Sequence, residues 1–125
     1  KFAAEGTLVL NFISSPGSGK TQFLERTLDI LPRDLRVGYI MGAGDETAAA
    51  IANLDLVVSV DTAVAHLAGA LGAPAATLLK FAPDWRWMTG RDDTPWYSSM
   101  TLFRQSKRGN WNEVFERVAL ALQSM

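Results

Sequence analysis

Five short apolar runs, separated by helical segments and by glycine and proline breaks, constrain this chain more than any other feature. Residues 7–13 are rich in Leu, Val, Phe and Ile and read as a buried strand. Residues 21–31 read as a helix, because Phe23, Leu24, Thr27, Leu28 and Leu31 share one face and Pro32 ends it. A second strand over 36–41 is broken by the glycines of GAGD, and an Ala-rich helix follows over 46–53. A third strand spans 54–60. Asp61 then opens a helix through Leu71, which Gly72 stops as a C-cap would. A fourth strand over 75–79, a long loop over 83–99 and a fifth strand over 100–104 come next. The final helix, 110–123, has Val114, Val118, Leu120 and Leu122 among its apolar positions.

Continuous apolar strands joined by helical crossovers imply a parallel sheet covered on both faces. Right-handed crossovers make that an α/β three-layer sandwich. The expectation is a five-stranded parallel sheet in flavodoxin-like order 2-1-3-4-5, with a Rossmann-like variant second. At 125 residues and 48% hydrophobic, the chain holds one core, so residues 1–125 are expected to form a single domain.

Composition narrows the function. A formal net charge of -1 argues against nucleic acid as a partner. With no cysteine there is no disulfide frame, thiolate metal site or cysteine nucleophile, and a single histidine rules out a multi-histidine metal site. No apolar stretch is long enough to span a bilayer and no signal-peptide pattern is present, so a soluble, cytoplasmic protein is the expectation. The first residue is Lys1 rather than Met, which implies a trimmed chain.

The first strand runs into SSPGSGKT at residues 14–21. The phosphate-loop pattern G-x-x-x-x-G-K-[ST] has glycine where this chain has Ser14, and the rest fits. Gly17 and Gly19 permit backbone conformations that turn N–H groups inward, with Ser15, Pro16 and Ser18 completing the cradle. Lys20 can reach terminal phosphates. Thr21 opens a helix whose N-terminus favours anions, and its hydroxyl can hold Mg²⁺. The alternative is a glycine-rich strand–helix turn that binds nothing.

Two family resemblances follow from these residues. From about residue 8 to 40 the chain resembles the nickel-insertion GTPases of hydrogenase maturation, whose loop is also SSPGSGKT, whose next helix is like FLERTLDIL and whose next strand is close to RVGYI. The guanine-reading N-K-x-D motif and the family's metal-binding Cys and His residues are missing, so neither guanine specificity nor nickel handling is implied. From about residue 46 to 123 the chain is similar to the C-terminal donor domain of GT-B glycosyltransferases, the heptosyltransferase and TPR-linked group. ETAAAIANLDLVVSVDTAVAHLAGALGAP, FAPDWRWMTGRDDTPWY, LFRQ and a final W-x-x-V-type helix carry that match. By resemblance, Asp61, Thr62, Ala63 and His66 are donor-side positions, with the diphosphate near the helix N-terminus. The acceptor domain is missing, and sugar transfer needs a positioned donor and acceptor, so no glycosyl transfer is expected. The simplest account is an engineered chimera, residues 1–44 from a P-loop half and 45–125 from a glycosyltransferase half, with a natural fusion as the alternative. An edge strand or apolar face left by such a join would be covered by a dimer.

Individual residues carry more than one reading. LDLVVSVD has the form of a Walker B segment, so Asp61 could help Thr21 hold Mg²⁺ beside a nucleotide. The favoured reading is that Asp61 N-caps the following helix, with the metal role additional. Asp45 is a second acid, because the GTPases place Gly-Asp after their second strand. His66 reads either as a partly buried residue bonded to backbone or as an acid–base group with no orienting partner visible in the sequence. Trp85, Trp87, Trp96 and Tyr97, interspersed with Asp84, Arg86, Arg91 and Asp93, read either as a stacking platform or as a loop folded back over the strand ends, its charges facing water. The favoured function is phosphate or nucleotide-phosphate binding through residues 15–21, with weak nucleotide hydrolysis at most. The rivals are a fold-recombination scaffold without ligand and residual nucleotide-sugar binding at the helix of Asp61 and His66.

Overall fold

The computed structural model describes residues 7–11, 36–39 and 45–123, with side chains from Glu46 to Leu122. The phosphate loop expected at 14–21, the helix expected at 21–31 and the GAGD break, apart from Asp45, lie outside the described residues.

The fold is α/β with a parallel sheet. Its strands are β1 (Thr7–Asn11), β2 (Arg36–Tyr39), β3 (Val57–Val60), β4 (Ala75–Leu79) and β5 (Met100–Arg104), hydrogen-bonded in the order β2-β1-β3-β4-β5. Every pairing is parallel. The described helices are α1 (Asp45–Ala52), α2 (Ala63–Ala70) and α3 (Asn112–Gln123), and a 3-10 turn, Trp85–Trp87, interrupts the long loop. None is long and apolar enough to cross a membrane.

Local hydrogen bonding moves two boundaries from their expected places. The amides of Asn53 and Leu54 donate to the carbonyls of Ala50 and Ile51 (3.1 and 3.0 Å), and the Asn53 side-chain amide donates to the Ala49 carbonyl (2.8 Å). The chain therefore leaves α1 through a tight turn. β3 starts only at Val57, whose N–H donates to the Pro74 carbonyl at 2.9 Å. The second correction concerns Asp61. It is not the cap of the next helix: Thr62 is the N-cap, with extended backbone (φ -142°, ψ 172°), and α2 begins at Ala63. The other end of α2 stops at the glycine as the sequence implies. Gly72 has φ +70°, where a side chain is strained, and its N–H donates to the Gly69 carbonyl at 3.1 Å.

All five residues of β4 are buried, so the sheet needs apolar cover on both faces. Successive strand residues point to opposite sides. On one face Leu56, Val58, Ala76 and Leu78 pack against Val114, Phe115, Val118 and Leu122 of α3. On the other, Val57, Ala75, Leu79 and Leu102 pack against Ile51 of α1, Val64, Ala65 and Ala68 of α2, and the Trp87 ring. Leu120, counted among the apolar positions of the last helix, is 64% exposed and lies on the solvent side of α3.

The outer edge of β5 is covered by the long loop. The Leu102 N–H donates to the Asp92 carbonyl (2.7 Å), and the Arg104 guanidinium reaches the Trp87 carbonyl (2.5 Å). The first of these bonds occupies an amide that an open edge would offer to another strand, and the second ties the loop to the end of β5. Replacing Leu78 by Ala removes a side chain that is 1% exposed at the centre of the α3 face. Urea denaturation should show a loss of roughly 2–5 kcal/mol with the midpoint shifted and the slope unchanged.

Candidate functional site

In a doubly wound sheet, ligands bind beyond the carboxyl ends of the strands, where the strand order reverses. Here that point lies between β1 and β3. Asn11, the last residue of β1, pairs with Ser59 of β3. The chain thus leaves β1 at the same end of the sheet where β3 delivers Asp61, Thr62 and the start of α2. The turn into α2 is held by short polar contacts: Ser59 Oγ donates to the Val60 carbonyl (2.9 Å) and lies 3.1 Å from Thr62 Oγ1. The Thr62 hydroxyl makes no capping bond to a first-turn amide.

His66 stands one turn into α2, and the long loop folds back over it. Its Nδ1 is 2.9 Å from the Tyr97 hydroxyl. Its Nε2 is 3.3 Å from Arg86 Nη1 and at ion-pair distance, 3.4 Å, from Asp61 Oδ1. The imidazole stacks on Trp87 with ring centres 5.2 Å apart and an interplanar angle of 22°. Tyr97 meets it edge-on at 5.8 Å. Arg86 is itself held. Asp84 Oδ1 accepts from the Arg86 amide (3.1 Å) and from Arg86 Nε (2.9 Å). That amide first, and the guanidinium behind it, keep the Asp84 carboxyl below the ordinary aspartate value.

The position of Tyr97 depends on a missing side chain. A Cβ at Gly69 would lie 2.3 Å from Tyr97 Cγ and 2.6 Å from both Cδ atoms. Gly69 follows His66 by three positions, so both share the α2 face that receives the ring. This is the one sequence signal that could have paired the loop with the helix: a gap of one side chain beside a histidine. The sequence reading found no orienting partner for His66, and the structure supplies Tyr97 and Arg86.

The loop aromatics divide. Trp87 is 1% exposed, so the fold-back reading holds for it, whereas Trp85 (79%) and Trp96 (55%) are largely exposed. Trp96 Nε1 donates to the Arg86 carbonyl at 2.8 Å, tying the two ends of the loop together. The charges pair locally while remaining partly exposed: Asp84 holds Arg86, whose guanidinium reaches His66, and Arg91 pairs with Asp93 (2.6 Å).

Beside Asp61, at the carboxyl ends of β3 and β4, a cleft of about 380 Å³ is lined by Val60, Leu79, Pro83, Trp111, Asp61 and Lys80. Its floor is apolar, its rim carries one acid and one amine, and one wall is aromatic. Among the described residues no three His, Cys, Asp or Glu side chains gather to hold a metal ion. Ser15, Pro16, Gly17, Ser18, Gly19, Lys20 and Thr21 lie outside the described residues, as does any contact of Thr21 with Asp61. Asp45 is the first residue of α1.

Comparison with known proteins divides along the chain. The profile of glycosyltransferase family 9 (heptosyltransferase) matches residues 45–118. The protein FlbA of Caulobacter vibrioides is 38% identical over 79 residues, which is 63% of this chain and 13% of FlbA. The hydrogenase maturation factor HypB of Rhizobium leguminosarum bv. viciae is 49% identical over 41 residues, and that of Azotobacter vinelandii 48% identical over 42. Those stretches are 33% and 34% of this chain, and 14% of each factor. The chain thus spans a small fraction of the length of the curated relatives it matches. No solved structure matches.

Two outcomes follow from the geometry. Gly69→Ala should destabilise by about 1–3 kcal/mol, because the Tyr97 ring must leave its seat, with a matching loss of near-ultraviolet dichroism. The Asp84 carboxyl should titrate below the ordinary aspartate value of ~3.9 in carbon-detected magnetic resonance. Because its folded pKa is lowered, its contribution is complete above that ordinary value and is lost as pH falls through the lowered one.

Proposed function

The chain belongs to glycosyltransferase family 9 through residues 45–118, and from that premise we propose that it binds the phosphates of a nucleotide with Mg²⁺, in a pocket built jointly by a P-loop and the family-9 segment. The observation that carries this reading is the register of Asn11 with Ser59. Asn11 is the last described residue before SSPGSGKT, and it ends β1 at the same sheet end as Asp61 and the N-terminus of α2. The similarity to two hydrogenase maturation factors over 41 and 42 residues supports it.

In this reading the backbone N–H groups of Ser15 to Gly19 surround the phosphates, and Lys20 neutralises the terminal one. Thr21 and Asp61 share the Mg²⁺, a hard cation suited to a hydroxyl and a carboxylate. The proposed architecture is a three-layer sandwich on five parallel strands, one domain from a P-loop half (1–44) and a glycosyltransferase half (45–125). We take the join to be engineered, with a natural fusion as the rival origin. The sequence supplies no base reader, water-positioning residue or arginine finger, so hydrolysis is slow at most. Glycosyl transfer is not proposed. The working state is a soluble cytoplasmic protein, with a dimer covering any edge left at the join.

A second reading is favoured by the cleft beside Asp61, with Lys80 on its rim and Trp111 as a wall. It is nucleotide-sugar binding at Asp61, Thr62 and His66 without the P-loop. A ligand that binds only the native state raises its melting temperature with concentration. Thermal titration with phosphate, ATP, GTP and UDP, each with and without Mg²⁺, should therefore give a rising midpoint that Lys20→Ala abolishes. A shift that survives Lys20→Ala and is lost in Asp61→Ala establishes the second reading instead. No shift with any ligand overturns both and leaves a scaffold.

A further inference from the structure

His66 is the only histidine in the chain, and both of its ring nitrogens have partners with different demands. At Nε2 the demands exclude one another. Arg86 Nη1, at 3.3 Å, can only donate, so it needs Nε2 bare. Asp61, at 3.4 Å, can only accept, so it needs Nε2 protonated. Nδ1 faces the Tyr97 hydroxyl at 2.9 Å, and a hydroxyl can do either. The contact with Arg86 has hydrogen-bond geometry, and Asp84 fixes that guanidinium through Nε from the far side. Asp61 is the freer partner, an exposed residue at the mouth of the turn. Trp87 stacks under the ring and carries no charge to either nitrogen.

We propose that Tyr97 is a positioning residue for His66: it accepts from Nδ1–H, fixes the neutral ring as that tautomer and leaves the Nε2 lone pair as the group the ring presents. Tyr97 can do this because it lies in the gap at Gly69. Its hydroxyl then reads the ring from the loop while its aromatic face is held by α2. The consequence concerns ligand chemistry. A bare Nε2 accepts from a hydroxyl, such as a ribose or sugar alcohol, and offers nothing to a phosphate oxygen. A ligand hydroxyl at this end of the sheet would take over the bond that Arg86 now donates. This last step rests on the proposed reading that a nucleotide or nucleotide-sugar lies there; the tautomer itself does not.

Long-range ¹⁵N–¹H correlation spectra of the single imidazole test the assignment without ligand. They are recorded at a series of rising pH values until the two nitrogen signals stop moving, so that only the neutral ring is read. The wild type should show Nδ1 as the protonated nitrogen and Nε2 as the bare one. Tyr97→Phe keeps the ring in its seat and removes only the hydroxyl, and the two nitrogen signals should move toward each other as the tautomers mix. Arg86→Met should move them the same way by freeing Nε2 for a proton facing Asp61. A wild-type spectrum with Nε2 protonated, or a Tyr97→Phe spectrum identical to wild type, overturns the proposal. Adding Mg²⁺–ADP, with sulfate as an anion lacking hydroxyls, then examines the ligand step. A shift of Nε2 with ADP and none with sulfate supports acceptance from a hydroxyl, and an equal shift with both overturns it. If the tautomer behaves as described and ADP leaves Nε2 unmoved, the positioning role stands and the hydroxyl step falls, while the nucleotide reading is decided separately by the Lys20→Ala thermal titration.

Discussion

The burial of β4 on both faces is the constraint from which the rest of this structure follows. A strand with five consecutive buried residues cannot leave either side of its sheet in water. Helices must cross over to cover both, and the parallel crossovers that result put every strand-to-helix turn at one end of the sheet. Polar residues therefore collect there: Asp61 and Thr62 after β3 and Lys80 after β4. The same fact explains why α2 is so poor in polar residues. Its inward face, Val64, Ala65 and Ala68, is fitted to the sheet, and His66 and Gly69 sit beside that face where the loop can reach them.

The loop between β4 and β5 links the two ends of that arrangement. It protects the outer edge of β5 through Asp92 and places Trp87 in the core. With Trp87 buried, the flanking residues have little freedom. Arg86 must emerge toward α2, where Asp84 and His66 receive it, and Tyr97 returns over the glycine gap. One element thus closes an aggregation-prone edge, completes a core and furnishes the partners of a histidine. With both ring nitrogens engaged, that histidine is set in one orientation by the loop.

Much of the fold was legible because it rests on local signals. Apolar runs of strand length, Ala-rich helical spacing and the glycine at position 72 gave the α/β class, the parallel sheet and the stop of α2. What was misread depended on competition between neighbours. Asp61 has the better capping propensity, yet the backbone turns one residue later and Thr62 takes the cap position while Asp61 faces His66. Leu54 belongs by composition to a strand but is consumed by the turn off α1. The partners of His66 were invisible for a different reason. Tyr97 is 31 positions away and Arg86 is 20, and no periodicity connects a loop residue to a helix face at that range. SSPGSGKT is the reverse case, since its residue types suggest a phosphate-binding chemistry while residues 14–21 lie outside the described structure.

The central claim is that the P-loop and the start of α2 act on the same phosphates. Amide ¹H–¹⁵N shift mapping with Mg²⁺–pyrophosphate tests it most directly, because that ligand carries phosphates and no base or sugar. The account predicts saturable shifts at Gly17, Gly19, Lys20 and Thr21 together with Asp61, Thr62 and Ala63, all following one binding curve. Shifts confined to one of the two groups, or two groups titrating with different affinities, would contradict it.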